Sequence, residues 1–440
     1  MRQKVTLLPI LFVVYLSPAS AERLPLPQPL TFTTALSYAK DQSSPELMKI
    51  RSKERALIAD SNLLQANDST TVLLGGQLEW AEPVATPGNW VDNHKVSITL
   101  RKNLYDFGRA GEERLSNTIE QDVLQSNLIS AYWQRRQQIM NSFFNVLLAD
   151  RIADRNDEAM AGAYIRFDRI SERQKLGQAS DLEVVEKESH YQKIFLERNR
   201  GISQQRLTRS QLAIVLNHPG DLPADLVTPE LASDVLPLPE YENILKMALA
   251  ENRVLYAMNR KIAAAQKKIS ARSKEGLPAI NGEVVFADTS RPSSQSDRWR
   301  VGLKFTVPLY DGGRRNARVD KERAKSYQVQ AERDETKLKI EQRVLTEWLN
   351  LNNLRQQAKR ALVELDYREL YLDNSRADYE HEFKADLGNA MVKISDAQIA
   401  VAKNKFQQAL AWEKLDALTN GNMAVLSDQV AAVQVLKGEN

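Results

Sequence analysis

The chain has 440 residues, with 60 basic and 57 acidic side chains, four histidines and no cysteine. Without a thiol there is no disulfide framework, no thiolate metal site and no lipidated cysteine. The nearly balanced charge gives no reason to expect nucleic acid as a partner. Beyond residue 21 there is no run of about 18 apolar residues, so no membrane-crossing helix is expected.

Residues 1–21 read as a secretory signal. Arg2 and Lys4 supply its basic region, Leu7 to Leu16 its apolar region and Ala19-Ser20-Ala21 its cleavage site. Residues 22–220 form a first unit. A Pro-rich lead-in, Leu24 to Pro29, precedes helical periodicity from Thr31 to about Asn67, interrupted at Ser44-Pro45, where a second piece starts. The period then falls to two, and strands are expected over 70–80 and 94–101, joined by a polar loop. In the second of them Val96, Ile98 and Leu100 alternate with Ser97, Thr99 and Arg101.

A helix over 111–176 follows, about 100 Å long at its usual rise. Its apolar residues, among them Leu115, Ile119, Val123, Ile139, Phe143 and Leu147, recur in steps of three and four, a seam meant for neighbouring helices. Leu176-Gly177 reads as its end, and Ser180 or Asp181 caps the next helix, over 181–216. Asn217-His218-Pro219-Gly220 stops that one.

A Pro-rich linker, 221–239, returns the chain to its start, and residues 240–420 repeat the order. Tyr241 to about Gly276 is helical, strands are expected over 280–287 and 298–307, and long helices over 314–384 and 390–419. Leu387-Gly388-Asn389 is read as the turn between these helices, and 421–440 as a loose tail. The two halves share a strand-end motif, Leu104-Tyr105-Asp106-Phe107-Gly108-Arg109 and Leu309-Tyr310-Asp311-Gly312-Gly313-Arg314, about 205 residues apart. Helix, hairpin, long helix, helix, written twice, is an internal duplication.

Four alternating strands of this length match tilted strands that cross a bilayer, with Trp80, Trp299, Tyr105 and Tyr310 at their ends. Four strands cannot close a barrel, and open edges are not tolerated in lipid; three copies supply twelve. The other reading of the same pattern is a periplasmic coiled-coil scaffold or adaptor without a pore, its hairpins sheltered against helices. Chemistry is not indicated. His94, His190, His218 and His381 lack metal-ligand spacing, Asp106 and Asp311 precede turns, and no phosphate loop or nucleophile elbow is present. No catalytic residue, metal or cofactor is therefore expected.

With these features in order, the chain resembles the TolC-like outer-membrane efflux proteins. The resemblance rests on the two strand-end motifs, closest over Val307-Pro308-Leu309-Tyr310-Asp311-Gly312-Gly313-Arg314, and on the two helix–turn–helix tips, Leu176 to Val185 and Tyr379 to Gln398. It implies a mostly α fold with a transmembrane β-barrel: a homotrimer with a 12-strand barrel in outer-membrane lipid above a long α-helical barrel in the periplasm. Such a duct serves tripartite efflux or type I secretion, with a periplasmic adaptor and an inner-membrane pump or ABC exporter as partners. Carried over by position, the resemblance places a periplasmic constriction at Glu183, Glu186, Lys393 and Asp396. It places adaptor-docking tips at Leu176, Gly177, Ser180, Asp181, Leu387, Gly388 and Asn389. Lys393 departs from the acidic pattern and could pair with Glu183 or Glu186 in a threefold ring. Asn103, where the first copy lacks Pro, and Val254, where a Pro often follows the Asn-Arg, are further departures.

Overall fold

The computed structural model describes residues 25–84, 87–231, 236–291, 297–380 and 387–423. The signal at 1–21 and nearly all of the tail lie outside them. The chain enters through α1 (Phe32–Ser37), where the Thr31 hydroxyl accepts from the Thr34 amide at 3.2 Å. After one 3₁₀ turn comes α2 (Pro45–Asp68), with Pro in its first turn as expected. The first hairpin then runs through β1 (Thr71–Gln77), two short pieces β2 (Trp80–Ala81) and β3 (Val91–Asp92), and β4 (Lys95–Tyr105).

The strands differ from the expectation at their ends. The expected strand over 70–80 stops at Gln77, because Trp80 and Ala81 pair with Asp92 and Val91 in a separate two-stranded sheet. The expected strand over 94–101 continues to Tyr105, since β5 (Ala279–Thr289) supplies partners through a bulge between Asn103 and Tyr105. Last comes β6 (Trp299–Thr306), which ends just before Pro308, a residue with no amide to donate. The four strands form one antiparallel sheet in the order β1-β4-β5-β6, so β1 and β6 are its open edges.

From this sheet hang two helical hairpins. The first is α3 (Arg109–Lys175) with α4 (Asp181–Val215); α5 (Tyr241–Glu251) and α6 (Arg253–Ser273) then lead to β5; the second hairpin is α7 (Arg314–Glu380) with α8 (Leu387–Leu418). The helix expected from Tyr241 to Gly276 is thus broken at Asn252. Its side chain accepts from the Val254 and Leu255 amides at 3.0 and 3.2 Å and donates to the Leu418 carbonyl at 3.0 Å, which fixes the kink.

The repeated Tyr-Asp motif is a helix-start device. Asp106 accepts from the Gly108 and Ala110 amides at 3.1 and 2.8 Å; Asp311 accepts from those of Gly313 and Arg315 at 3.0 and 2.7 Å. Between strand and helix each copy needs two left-handed residues, Phe107-Gly108 and Gly312-Gly313. The helix α3 has 67 residues and α7 has 67 described residues, about 100 Å each. Their starts, Arg109 and Arg314, are 205 positions apart.

The core is duplicated too. One cluster gathers Phe32 and Leu36 of α1, Ile139, Phe143, Phe144 and Val146 of α3, Leu212 of α4 and Phe406 of α8. The rings of Phe144 and Phe406 stack at 4.5 Å. The other gathers Ile244 of α5, Val344 and Leu351 of α7, and Trp412 and Leu415 of α8. Ile139 and Val344, like Val146 and Leu351, hold equivalent places on the two long helices. The linker pairs with the lead-in, Leu30 donating to the Asp225 carbonyl at 2.8 Å and accepting from the Val227 amide at 3.1 Å. That contact ties the second half back to the first.

Candidate functional site

Two regions stand apart from the packed bundle: the sheet at one end and the hairpin tips at the other. Cross-strand register sorts the sheet into two faces. Val72, Leu100, Val284 and Val301 form one row, and Leu74, Ile98, Phe286 and Trp299 the next. Leu303 and Phe305 continue the same face. Among the described residues nothing covers it: Val301 is 78% and Leu303 75% exposed. The reverse face carries Thr71, Ser97, Thr99, Arg101, Glu283, Arg300 and Lys304, with Arg101 and Glu283 paired at 3.0 Å. A contiguous bare apolar face of this extent marks an interaction surface, since water penalises it. Among the described residues no helix is long and apolar enough to cross a membrane, a statement that does not bear on strands.

At the other end, the first tip is built by its own turn chemistry. Gly177 is left-handed, with φ 71°; the Gln178 amide donates to the Arg173 carbonyl and the Gly177 amide to that of Gln174, both at 2.8 Å. Ser180 then starts α4 with a capping box: its hydroxyl accepts from the Glu183 amide at 3.3 Å, and its amide donates to the Glu183 carboxylate at 2.8 Å. That backbone hydrogen bond from Ser180 holds the Glu183 carboxyl below the usual range. Asp181 accepts from Gln174 at 2.7 Å, Glu186 lies 3.0 Å from Lys187, and Leu176 is exposed. Ser180→Ala should therefore loosen the start of α4 by about 1 kcal/mol. Faster amide hydrogen exchange at residues 181–184, with no change in the rest of the bundle, is the expected readout.

The second tip corrects the sequence reading. Leu387, Gly388 and Asn389 are not a turn; they are the first described residues of α8, and Gly388 has no positive φ. The Leu-Gly pair invites alignment with Leu176-Gly177, but the 205-residue offset of the halves places Leu387 opposite Leu182, already inside a helix. Residues 381–386, His381 among them, lie outside the described residues.

The structure does not bring the four constriction residues together within one chain. Glu183 and Glu186 belong to the first hairpin, Lys393 and Asp396 to the second. Asp396 is clamped by Arg155 of α3, at 2.8 and 3.3 Å to its two oxygens, and Ser395 donates to Glu158 at 2.8 Å. Lys393 rests over the Tyr371 ring, 5.5 Å from its centre. Sequence reading missed Arg155. Its only signal is position, a basic residue 20 short of the end of α3, and that becomes informative once α8 is known to lie alongside. Among the described residues no group of three or more His, Asp or Glu side chains is arranged to hold a metal.

The sequence model of the outer membrane efflux proteins matches residues 244–421, from α5 through the end of α8. The second half of the chain belongs to the outer membrane efflux protein family. The fold agrees along most of the molecule. The CmeC outer membrane channel of Campylobacter jejuni superposes with a TM-score of 0.73 at 12% identity, covering 88% of this chain and 85% of that one. The outer membrane protein VceC of Vibrio cholerae gives 0.69 at 15% identity, over 88% and 95%. The open state of the Neisseria gonorrhoeae MtrE outer membrane channel gives 0.69 at 15%, over 88% of each. No curated protein sequence matches the chain. At these identities the superpositions establish a shared fold; together with the family match over residues 244–421 they support a role as an efflux channel.

Proposed function

We propose that the chain is the outer-membrane exit duct of a tripartite efflux or type I secretion system. A homotrimer carries substrates from an inner-membrane pump, across the periplasm, to the outside. The observation that carries this reading is the bare apolar sheet face set on helices of about 100 Å. Three sheets joined edge to edge, β1 of one copy on β6 of the next, give twelve strands and leave no open edge in lipid. The apolar face turns to the hydrocarbon and the Arg101, Glu283 and Lys304 face to a wet lumen. Exposed Leu338, Leu345, Val363 and Leu370 on α7 then have neighbouring copies to pack against. A periplasmic scaffold without a pore accounts for the helices but leaves the sheet face in water.

Within this duct the tips meet a periplasmic adaptor, and Glu183, Glu186, Lys393 and Asp396 ring the constriction. Arg155 then acts as a clamp holding α8 against α3. The pair is half-exposed and worth under about 1 kcal/mol, so Arg155→Ala should raise the open fraction of single channels about two- to fivefold. An unchanged open fraction would remove the clamp from the gate.

Edge pairing has a clean test, because the chain has no cysteine of its own. Inside one copy β1 and β6 are separated by two strands, about 14 Å, beyond disulfide reach. Cysteines introduced at 73 or 75 with partners at 300, 302 or 304 should, in some register, oxidise to covalent trimers and stop there. Monomers in every register, or ladders beyond three, would contradict the closed ring.

A further inference from the structure

We infer that the rim where the sheet meets the helices is a docking collar for anionic phospholipid headgroups; this rests on the membrane reading proposed above. The strands β4 and β6 run parallel and finish at the same end, so α3 and α7 both start there, with α6 packed between them. Strand alternation places Lys102 on the apolar face itself, in the row of Gly282 and Leu303, three rows from the helix-side end of the sheet. An ammonium there, on a bilayer-facing surface, has to reach outward to headgroup level. Just past the strands come Arg109, Arg314, Arg315 and Arg318, all exposed.

Charge on this rim is unbalanced. Asp106 and Asp311 are committed to the amides that start α3 and α7. Glu112 is shared by Lys267 and Lys274 at 3.2 and 3.0 Å, and Glu275 by Arg272 and Arg318 at 2.5 and 2.9 Å. Arg109 is 3.9 Å from Asp106. Lys102, Arg314 and Arg315 have no carboxylate within ion-pair distance among the described residues.

At the same level the chain bares apolar and aromatic side chains. Leu309 is 95% and Tyr310 90% exposed, and Tyr105 and Phe107 lie with their rings 4.7 Å apart. Unpaired cations beside amphipathic rings at the edge of an apolar band fit a phosphate headgroup with its acyl chains on the sheet. Arg315 lies against Gly276, where an added Cβ would run into its guanidinium, so this cation is seated by the fold.

The test is lipid selectivity measured on the full-length protein reconstituted in phosphatidylethanolamine vesicles containing spin-labelled phosphatidylglycerol or spin-labelled phosphatidylethanolamine. The immobilised fraction should favour phosphatidylglycerol by about threefold or more at low salt and lose that preference in molar salt. The variant Lys102→Gln/Arg314→Gln/Arg315→Gln should lose the preference yet still assemble. Arg300→Gln/Lys304→Gln, on the opposite face of the sheet, should keep it. Equal immobilisation of both lipids by the wild type, a preference that survives the triple variant, or one lost in the control would each overturn the collar and leave the duct standing. Protein that inserts but immobilises no lipid of either kind, or that does not insert, would overturn the membrane reading itself and the collar with it.

Discussion

Leu303→Arg is expected to remove the protein from the membrane as an assembled trimer. Leu303 is exposed in mid-strand on the apolar face, in one row with Lys102 and Gly282, with Val301 and Phe305 on either side along β6. In water the substitution would be nearly neutral, because a bare leucine is already unfavourable there. Its row lies between the middle of the sheet and the helix-side rim, so an arginine there costs about 1–2 kcal/mol per copy, between the midplane and interface values, and a ring of three copies meets that cost three times. The matched control is Lys304→Arg, next door on the polar face, which should assemble normally. Heat-resistant trimer in purified outer membranes is the quantity to compare. Normal trimer from Leu303→Arg would mean that this face does not meet lipid.

The second large effect belongs to the bundle. Glu413 of α8 is fully buried against Arg136 of α3, at 2.5 Å, while its second oxygen has no hydrogen-bond partner. Burial pushes the Glu413 carboxyl up to about 7, against the pull of the Arg136 guanidinium, and Asp416 adds to the rise. The ordinary value is 4.5, so the folded chain holds this proton more tightly than the unfolded one. Stability from this group is therefore complete below about pH 4.5 and declines as the pH rises towards 7, by roughly 3 kcal/mol in all.

Arg136→Ala leaves a buried carboxylate without its partner and should cost about 3–5 kcal/mol at pH 8. The loss should shrink at pH 5, where Glu413 carries its proton. Glu413→Gln should instead flatten the pH dependence. Urea unfolding of the three proteins at both pH values checks the sign; an Arg136→Ala loss that grows on acidification would contradict it.

Much of this architecture was legible in the residues because it rests on local rules. Tyr-Asp-x-Gly-Arg starts a helix twice by the same carboxylate-to-amide geometry, and period-two runs at Val96 and Trp299 mark strands whose partners confirm the pattern. What was not legible depends on partners distant in sequence. Whether β4 ends at Arg101 or Tyr105 is decided by β5, about 180 residues later. The break at Asn252 is fixed by a carbonyl at Leu418, which no window around Asn252 contains.

The candidate site divides in the same way. Ser180 and Glu183 form a capping box that the sequence spells out. The Arg155–Asp396 clamp joins two halves of the chain, and composition offers no hint of it. The misplaced second turn had a different cause. The pair Leu387-Gly388 looks like Leu176-Gly177, but the 205-residue offset between Arg109 and Arg314 sets Leu387 opposite Leu182, inside a helix.

The most direct test of the duct is planar-bilayer recording of the purified protein, with its oligomeric state fixed by crosslinking in the same preparation. The account predicts trimers that insert and give small, mostly closed conductance steps, with longer openings in Arg155→Ala. A trimer that inserts and never conducts, or a protein that stays soluble as a helical scaffold, would contradict it.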